Sequence, residues 1–113
     1  MKDRKKLRAK GWAIGSAADF LGLTAEEAEY VQVKFALAKL LATKRHIKNY
    51  TQSDLANRIG STQSRVAKLE RGDPSVSMDL LVHSLFALGV TRKELAKVIS
   101  TPGNLEKYPV SHP

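Results

Sequence analysis

An all-α fold, a compact bundle of five helices with a helical extension ahead of it, is what this sequence of 113 residues predicts. Three observations lead there. Apolar residues recur at helical spacing in five successive segments, and no segment carries the alternation of a strand. A Ser or Thr stands ahead of each segment, followed in three of them by Asp or Glu three residues on, the pattern of a capping box. Gly60, Gly72 and Gly89 stand where the second, third and fourth segments should stop.

Residues Met1 to Lys10 carry six basic side chains and one Asp. They read as a solvated arm, with phosphate binding as the alternative. Ser16 to Leu21 reads as one or two helical turns, with Ser16 as the cap and Asp19 three residues later. Trp12, Phe20, Leu21 and Leu23 supply apolar area that can dock on the body.

Thr24 opens a long helix, boxed with Glu27, and Glu26, Glu27 and Glu29 sit at the positive end of its dipole. These acids read as helix-start charges in solvent, with a metal site the weaker reading. Lys44, Arg45 and Lys48 lie at the opposite end, where cations are favoured. Two apolar stripes run along this helix: Val33, Leu37, Leu40, Leu41, and Tyr30 or Val31, Phe35, Ala38, Ala42. A surface helix needs one stripe. The second must bury against the N-terminal segment or against another chain.

The second helix starts at Thr51, boxed with Asp54, and turns Leu55, Ala56 and Ile59 inward. Gly60 ends it in a left-handed conformation. After Ser61 and Thr62 a third helix turns Val66 and Leu69 inward and stops near Gly72. Two short helices about a tight glycine-containing turn make a helix-turn-helix arrangement. The fourth helix runs from about Met78 to Leu88 behind Ser77, and the fifth from about Arg92 to Ile99 behind the Thr91 and Glu94 box. Pro102, Gly103, Pro109 and Pro113 make the remainder a tail. The boundaries are therefore 1–23 for the arm and its short helical segment, 24–100 for the helix-turn-helix domain, and 101–113 for the tail.

Thr-Gln precedes both the second and the third helix, as Thr51-Gln52 and Thr62-Gln63. A glutamine amide is a poor core group and a good two-way hydrogen bonder. Two such amides at two helix starts suggest that both helices face a polar surface outside the protein. The charge agrees: Lys plus Arg is 19 against 11 Asp plus Glu, a net +8 with pI near 9.9. That favours a polyanion, either nucleic acid or an anionic membrane surface. The alternative is a protein that merely happens to be basic.

Other chemistries lack their residues. There is no cysteine, hence no disulfide and no thiolate metal site, which fits a reducing cytoplasm. His46, His83 and His112 have no partner ligand at helical spacing. Gly11 and Gly15 lack the spacing of a phosphate loop. No serine has a nucleophile setting. No apolar run approaches the roughly 18 residues of a membrane span, and the basic N-terminus has no apolar signal core. The expectation is no enzyme, no cofactor, no metal and no membrane partner.

The stretch "TQSDLANRIGSTQSRVAKLERG", followed by "SVSMDLLVHSLFALGV", resembles the lambda-repressor-like family, also called Cro/repressor or XRE. Thr51-Gln52, Leu55-Ala56, Gly60, Gln63-Ser64, Val66, Leu69-Glu70 and Gly72 fall where that motif has them, and the resemblance covers about residues 30 to 99. Upstream, "IGSAADFLGLTAEEAEYVQVKFALAKLL" resembles a subgroup similar to HigA-type antitoxins, partners of RelE- or HigB-type toxins.

The resemblance implies that the third helix lies in the major groove with its N-terminal residues at base edges. Gln63, Ser64 and Lys68 would then contact bases, with Gln63 reading adenine through a bidentate amide. Gln52 would sit beside a phosphate and brace Gln63. Arg65, Arg45, Lys44, Lys48, Asn49, Thr51 and Arg71 would contact phosphates. For Lys68 and Arg65 the alternative is ordinary solvated charge. Arg45 would also pair with Glu70 and lock two helices together. The implied partners are double-stranded operator DNA, a second copy of the chain, and a RelE/HigB-like toxin held through Trp12, Phe20 and Leu21. Val98, Ile99 and Leu105 are candidates for the dimer contact or for closing the core. The implied setting is cytoplasmic and nucleoid-associated, in a prokaryote or phage. Two rivals stand beside this reading: a phage-type or chromosomal repressor without a toxin, and a protein-binding scaffold that does not read DNA.

Overall fold

Every described element of the computed structural model, which describes residues 22–101, is a helix. In chain order they are α1 (Ala25–Ile47), α2 (Gln52–Ile59), α3 (Gln63–Arg71), α4 (Met78–Ala87) and α5 (Arg92–Ser100). The basic arm, the Ser16–Leu21 turns with Trp12, Phe20 and Leu21, and Leu105 and His112 in the tail lie outside the described residues. Of the described residues, 22–33 belong to one compact unit and Lys34–Thr101 to a second.

Local hydrogen bonding explains where each helix begins. The Thr24 N–H donates to Glu27 Oε1 at 2.8 Å, and the Glu27 N–H donates to Thr24 Oγ1 at 3.1 Å. The same reciprocal box opens α2 between Thr51 and Asp54, at 2.8 and 3.0 Å. It opens α5 between Thr91 and Glu94, at 3.1 Å in both directions. Thr62 and Ser77 cap α3 and α4 with one bond each, from the N–H groups of Arg65 and Leu80. Each cap satisfies backbone donors that the first turn leaves without partners and contributes about 0.5–2 kcal/mol.

One device ends α1 to α4. A left-handed residue follows the last turn, and the next N–H reaches back five residues. At α3 the Asp73 N–H donates to the Lys68 carbonyl at 3.0 Å and the Gly72 N–H to that of Leu69 at 3.1 Å. At α1 the Tyr50 N–H donates to the Arg45 carbonyl at 3.1 Å. The left-handed residue there is Asn49, with φ 60°. Asparagine tolerates that conformation better than most side chains.

The core of the second unit forms from α1 to α4. Leu37, Leu41, Leu55, Val66, Leu69, Leu81 and Leu85 are each at most 1 % exposed. Burying such a side chain contributes about 1.5–3 kcal/mol. Ile59, expected to point inward, is only half-buried. The second apolar stripe of α1 finds a neighbour inside this unit, because Phe35 packs on Gly72. The buried face of α1 also has a composition that the stripes do not anticipate. Lys34, Leu37, Ala38, Leu41 and Arg45 are all buried, so an apolar run has a cation at each end.

Lys34 supplies the first of these anchors. Its Nζ donates to the Val76 carbonyl at 2.6 Å and to the Asp73 carbonyl at 3.1 Å. Two loop carbonyls between α3 and α4 are thereby tied to α1. Lys44 makes a third tie, an ion pair at 2.5 Å from its Nζ to Glu94 Oε2 at the start of α5.

Gly60 and Gly72 share a positive φ, 65° and 67°, and differ in surroundings. A Cβ on Gly60 would meet nothing within 4 Å, whereas one on Gly72 would lie 2.8 Å from Phe35 Cδ1. Gly60→Ala should cost about 1 kcal/mol through backbone strain alone. Gly72→Ala should cost about 2–4 kcal/mol, because overpacking adds to the strain. Urea denaturation of both variants measures the difference, and equal losses would show that Phe35 does not constrain the site.

Glu94 carries a pH dependence. The Lys44 ammonium and then the Thr91 N–H hold its carboxyl below the ordinary value of 4.5. A lowered folded-state value means that the unfolded chain takes up the proton first as pH falls. The stabilisation is therefore complete at neutral pH and is lost through and below the ordinary glutamate range. Glu94→Gln should flatten the decline of the melting temperature below about pH 5, relative to the unaltered chain.

Candidate nucleic-acid interface

Residues 60–62 are all that separates α2 from α3, so the end of α2 lies beside the start of α3. Gln52 opens α2 and Gln63 opens α3. Their amides meet: Gln63 Nε2 donates to Gln52 Oε1 at 2.6 Å. Gln52 Nε2 in turn donates to Glu70 Oε1 at 3.0 Å. The Glu70 carboxylate also receives Arg45 Nε on Oε2 at 2.6 Å and Arg45 Nη2 on Oε1 at 3.1 Å. Arg45 Nη1 donates to the Tyr50 carbonyl at 2.8 Å. One chain of hydrogen bonds thus runs from α1 through the last turn of α3 to the first residue of α2 and back to the first residue of α3.

Burial divides these groups. The side chains of Arg45 and Glu70 are 11 % and 9 % exposed, while Gln63 lies open to solvent. Arg45 therefore spends three donors inside the protein. Its geometry is that of an anchor between helices. A bidentate guanidinium–carboxylate contact of this kind is directional and strong.

Along the first two turns of α3 the exposed side chains are Gln63, Ser64 and Arg65, with Lys68 half-buried beyond them and Arg71 exposed at the helix end. Ser64 and Lys68 are four residues apart and share a face. With Thr62, Arg65, Ser75 and Val76 they line a shallow cleft of about 260 Å³ beside the helix. Val66 and Leu69 occupy the opposite face, fully buried. The outward side of α3 thus offers an amide, a hydroxyl and two cations, a set that can hydrogen-bond base edges and neutralise phosphates.

The rim residues separate by engagement. Thr51 is exposed while its side chain caps α2. Lys48 is exposed and runs past Gly89 at the end of α4. Asn49 is exposed, and its left-handed backbone ends α1, which gives the residue a structural duty. Arg71 is 60 % exposed and lies 3.5 Å from Asp73. Lys44 is committed to Glu94. Of the cations expected to meet phosphate, Lys48, Arg65 and Arg71 remain the accessible ones, and Arg45 and Lys44 are tied within the fold.

Sequence reasoning missed Lys34, which holds the loop beside the cleft. The signal present was its place on the Leu37, Ala38 and Leu41 face of α1. Among the described residues no cluster of His, Cys, Asp or Glu could hold a metal ion, and no helix is long and apolar enough to cross a membrane.

A family model described as a helix-turn-helix domain matches residues 17–93. No curated protein and no solved structure matches the chain. The match spans more than half of the sequence and includes both glutamine-headed helices. The chain belongs to the helix-turn-helix domain family.

Proposed function

We propose that the chain is a sequence-specific DNA-binding transcriptional regulator of the lambda-repressor-like (XRE) type, acting as a homodimer. The observation that carries this reading is the outward face of α3, where an exposed Gln63 is braced by Gln52 beside Ser64 and Lys68. The net charge of +8 supports it, because a polyanion is the natural partner of such a surface. In this proposal Gln63, Ser64 and Lys68 meet base edges in the major groove. Gln52, Thr51, Lys48, Arg65 and Arg71 meet phosphates, which set register and affinity. Residues 24–100 are the reading domain, 1–23 an arm and 101–113 a tail.

The more specific proposal is an antitoxin of a type II toxin–antitoxin pair, which neutralises a RelE/HigB-like toxin and represses its own operon. It rests on the resemblance of the segment ahead of α1, with Trp12, Phe20 and Leu21 as the toxin-facing residues.

Titration of the full chain against the DNA upstream of its own coding sequence tests the first proposal. The double variant Gln63→Ala, Lys68→Ala should bind at least tenfold more weakly, since each good base contact contributes about 1–3 kcal/mol. If a dimer neutralises about 6–10 phosphates, log affinity should fall against log salt with a slope of about −0.9 per contact. Binding that ignores the double substitution defeats the assignment of α3.

Co-expression with the product of the adjacent reading frame tests the antitoxin proposal. A basic neighbour that co-purifies, and whose growth arrest this chain relieves, is the expected outcome. Co-purification lost on Trp12→Ala, Phe20→Ala would place the contact in the arm, whereas a neighbour that never associates removes the toxin from the account.

A further inference from the structure

The chain of hydrogen bonds ending at Gln63 has a direction, and the direction originates at Glu70. A carboxylate held by a guanidinium accepts hydrogen bonds and donates none. Gln52 must therefore turn its NH2 toward Glu70, as the 3.0 Å bond from Nε2 to Oε1 records. That leaves the Gln52 oxygen facing Gln63. Gln63 must then present its own NH2 to Gln52, as it does at 2.6 Å. Each amide would otherwise be free to turn by 180°, since its oxygen and nitrogen occupy nearly the same space. Here the orientation of both follows from one charge that lies two side chains away from the exposed amide.

We propose that Glu70 is a specificity-determining residue for base readout, acting through Gln52 to fix the order of acceptor and donor that Gln63 presents to the major groove. The inference rests on the DNA-binding reading given above and adds a residue that touches no base. With one N–H committed to Gln52, Gln63 keeps its carbonyl oxygen and one N–H. Adenine offers a donor at N6 and an acceptor at N7, and so matches one acceptor and one donor in a set order. Guanine offers two acceptors, O6 and N7, and the fixed oxygen of Gln63 then faces an oxygen. An amide able to turn would answer either a donor or an acceptor at the base edge. Glu70 removes that choice before DNA arrives, and Arg45 holds its carboxylate in position.

Two variants and two readouts test this. Glu70→Gln removes the obligate acceptor and also disturbs Arg45. Gln52→Met breaks the chain of amides while leaving the Arg45–Glu70 pair intact, so it stays informative if Glu70→Gln unfolds. The full chain and each variant are offered a randomised duplex pool of about 20 base pairs, the span of two half-sites. Affinities are then measured on single-base substitutions of the preferred sequence. Gln63→Ala identifies the base pair that Gln63 reads. The unaltered chain should prefer its base there by about tenfold or more. Gln52→Met, and Glu70→Gln if folded, should bring that preference close to unity while other positions keep theirs. Variants that lose affinity equally for all duplexes and keep the preference overturn the proposal.

The second readout needs no DNA. In the free protein one of the two Gln63 side-chain N–H protons should give a hydrogen-bond-shifted signal well resolved from the other, and both variants should abolish that shift. Unchanged signals overturn the polarity argument directly. If the unaltered chain selects no sequence at all, the DNA-binding reading fails, and the role of Glu70 in readout fails with it. Intact amide signals in that case would locate the failure in the function and not in the hydrogen-bond chain.

Discussion

The carboxylate of Glu70 is where three helices meet. It belongs to the last turn of α3, yet its partners are Arg45 of α1 and Gln52 of α2. A helix of nine residues has little stability of its own in water, because nucleation costs more than so few backbone bonds return. Its position must come from what it packs on. Val66 and Leu69 supply the non-directional part by burying in the core. Glu70 supplies the directional part, fixing the rotation of the helix about its axis. Removing one partner of a buried ion pair leaves the other charge without compensation, typically at about 3–5 kcal/mol.

The long helix α1 works as a measuring rod in this arrangement. Its inward face carries Lys34 at one end and Arg45 at the other, with Leu37, Ala38 and Leu41 between. The two cations are eleven positions apart on the helix, roughly 16 Å at the usual rise. Arg45 engages the side chain of Glu70 on α3, and Lys34 engages the backbone of the loop that follows α3. The outward residues of α3 thus sit beside a segment held at two places by one stiff element. The second place also constrains composition. Phe35, next to Lys34, fills the space where any side chain on Gly72 would go.

Much of this is legible in the sequence because helix boundaries are local. Thr24 with Glu27, Thr51 with Asp54, and Thr91 with Glu94 announce helix starts within four residues, and the glycines announce ends. Asn49 does the same work at the end of α1, yet an asparagine in a polar loop carries no comparable mark. The amphipathic pattern placed Leu55, Val66 and Leu69 inward, since burial of leucine and valine needs no partner chemistry. The long-range polar ties were less accessible. The spacing of Lys44 and Glu94 says nothing of their pairing, because fifty residues separate them. The pairing of Arg45 with Glu70 came from a family resemblance and not from spacing. The tie made by Lys34 was hidden for a further reason: its place on the apolar face of α1 marks the residue, but its acceptors are main-chain oxygens, and every residue has one.

That last point governs how the surface beside α3 is free to change. Lys34 grips the carbonyls of Asp73 and Val76 and none of the loop's side chains. The side chains of Pro74 and Ser75 take no part in that clasp. The loop is a socket whose mounting is independent of its face, so side chains beside α3 can differ while the mounting stays the same. A surface fastened in this way can change by small steps while the fastening beneath it persists.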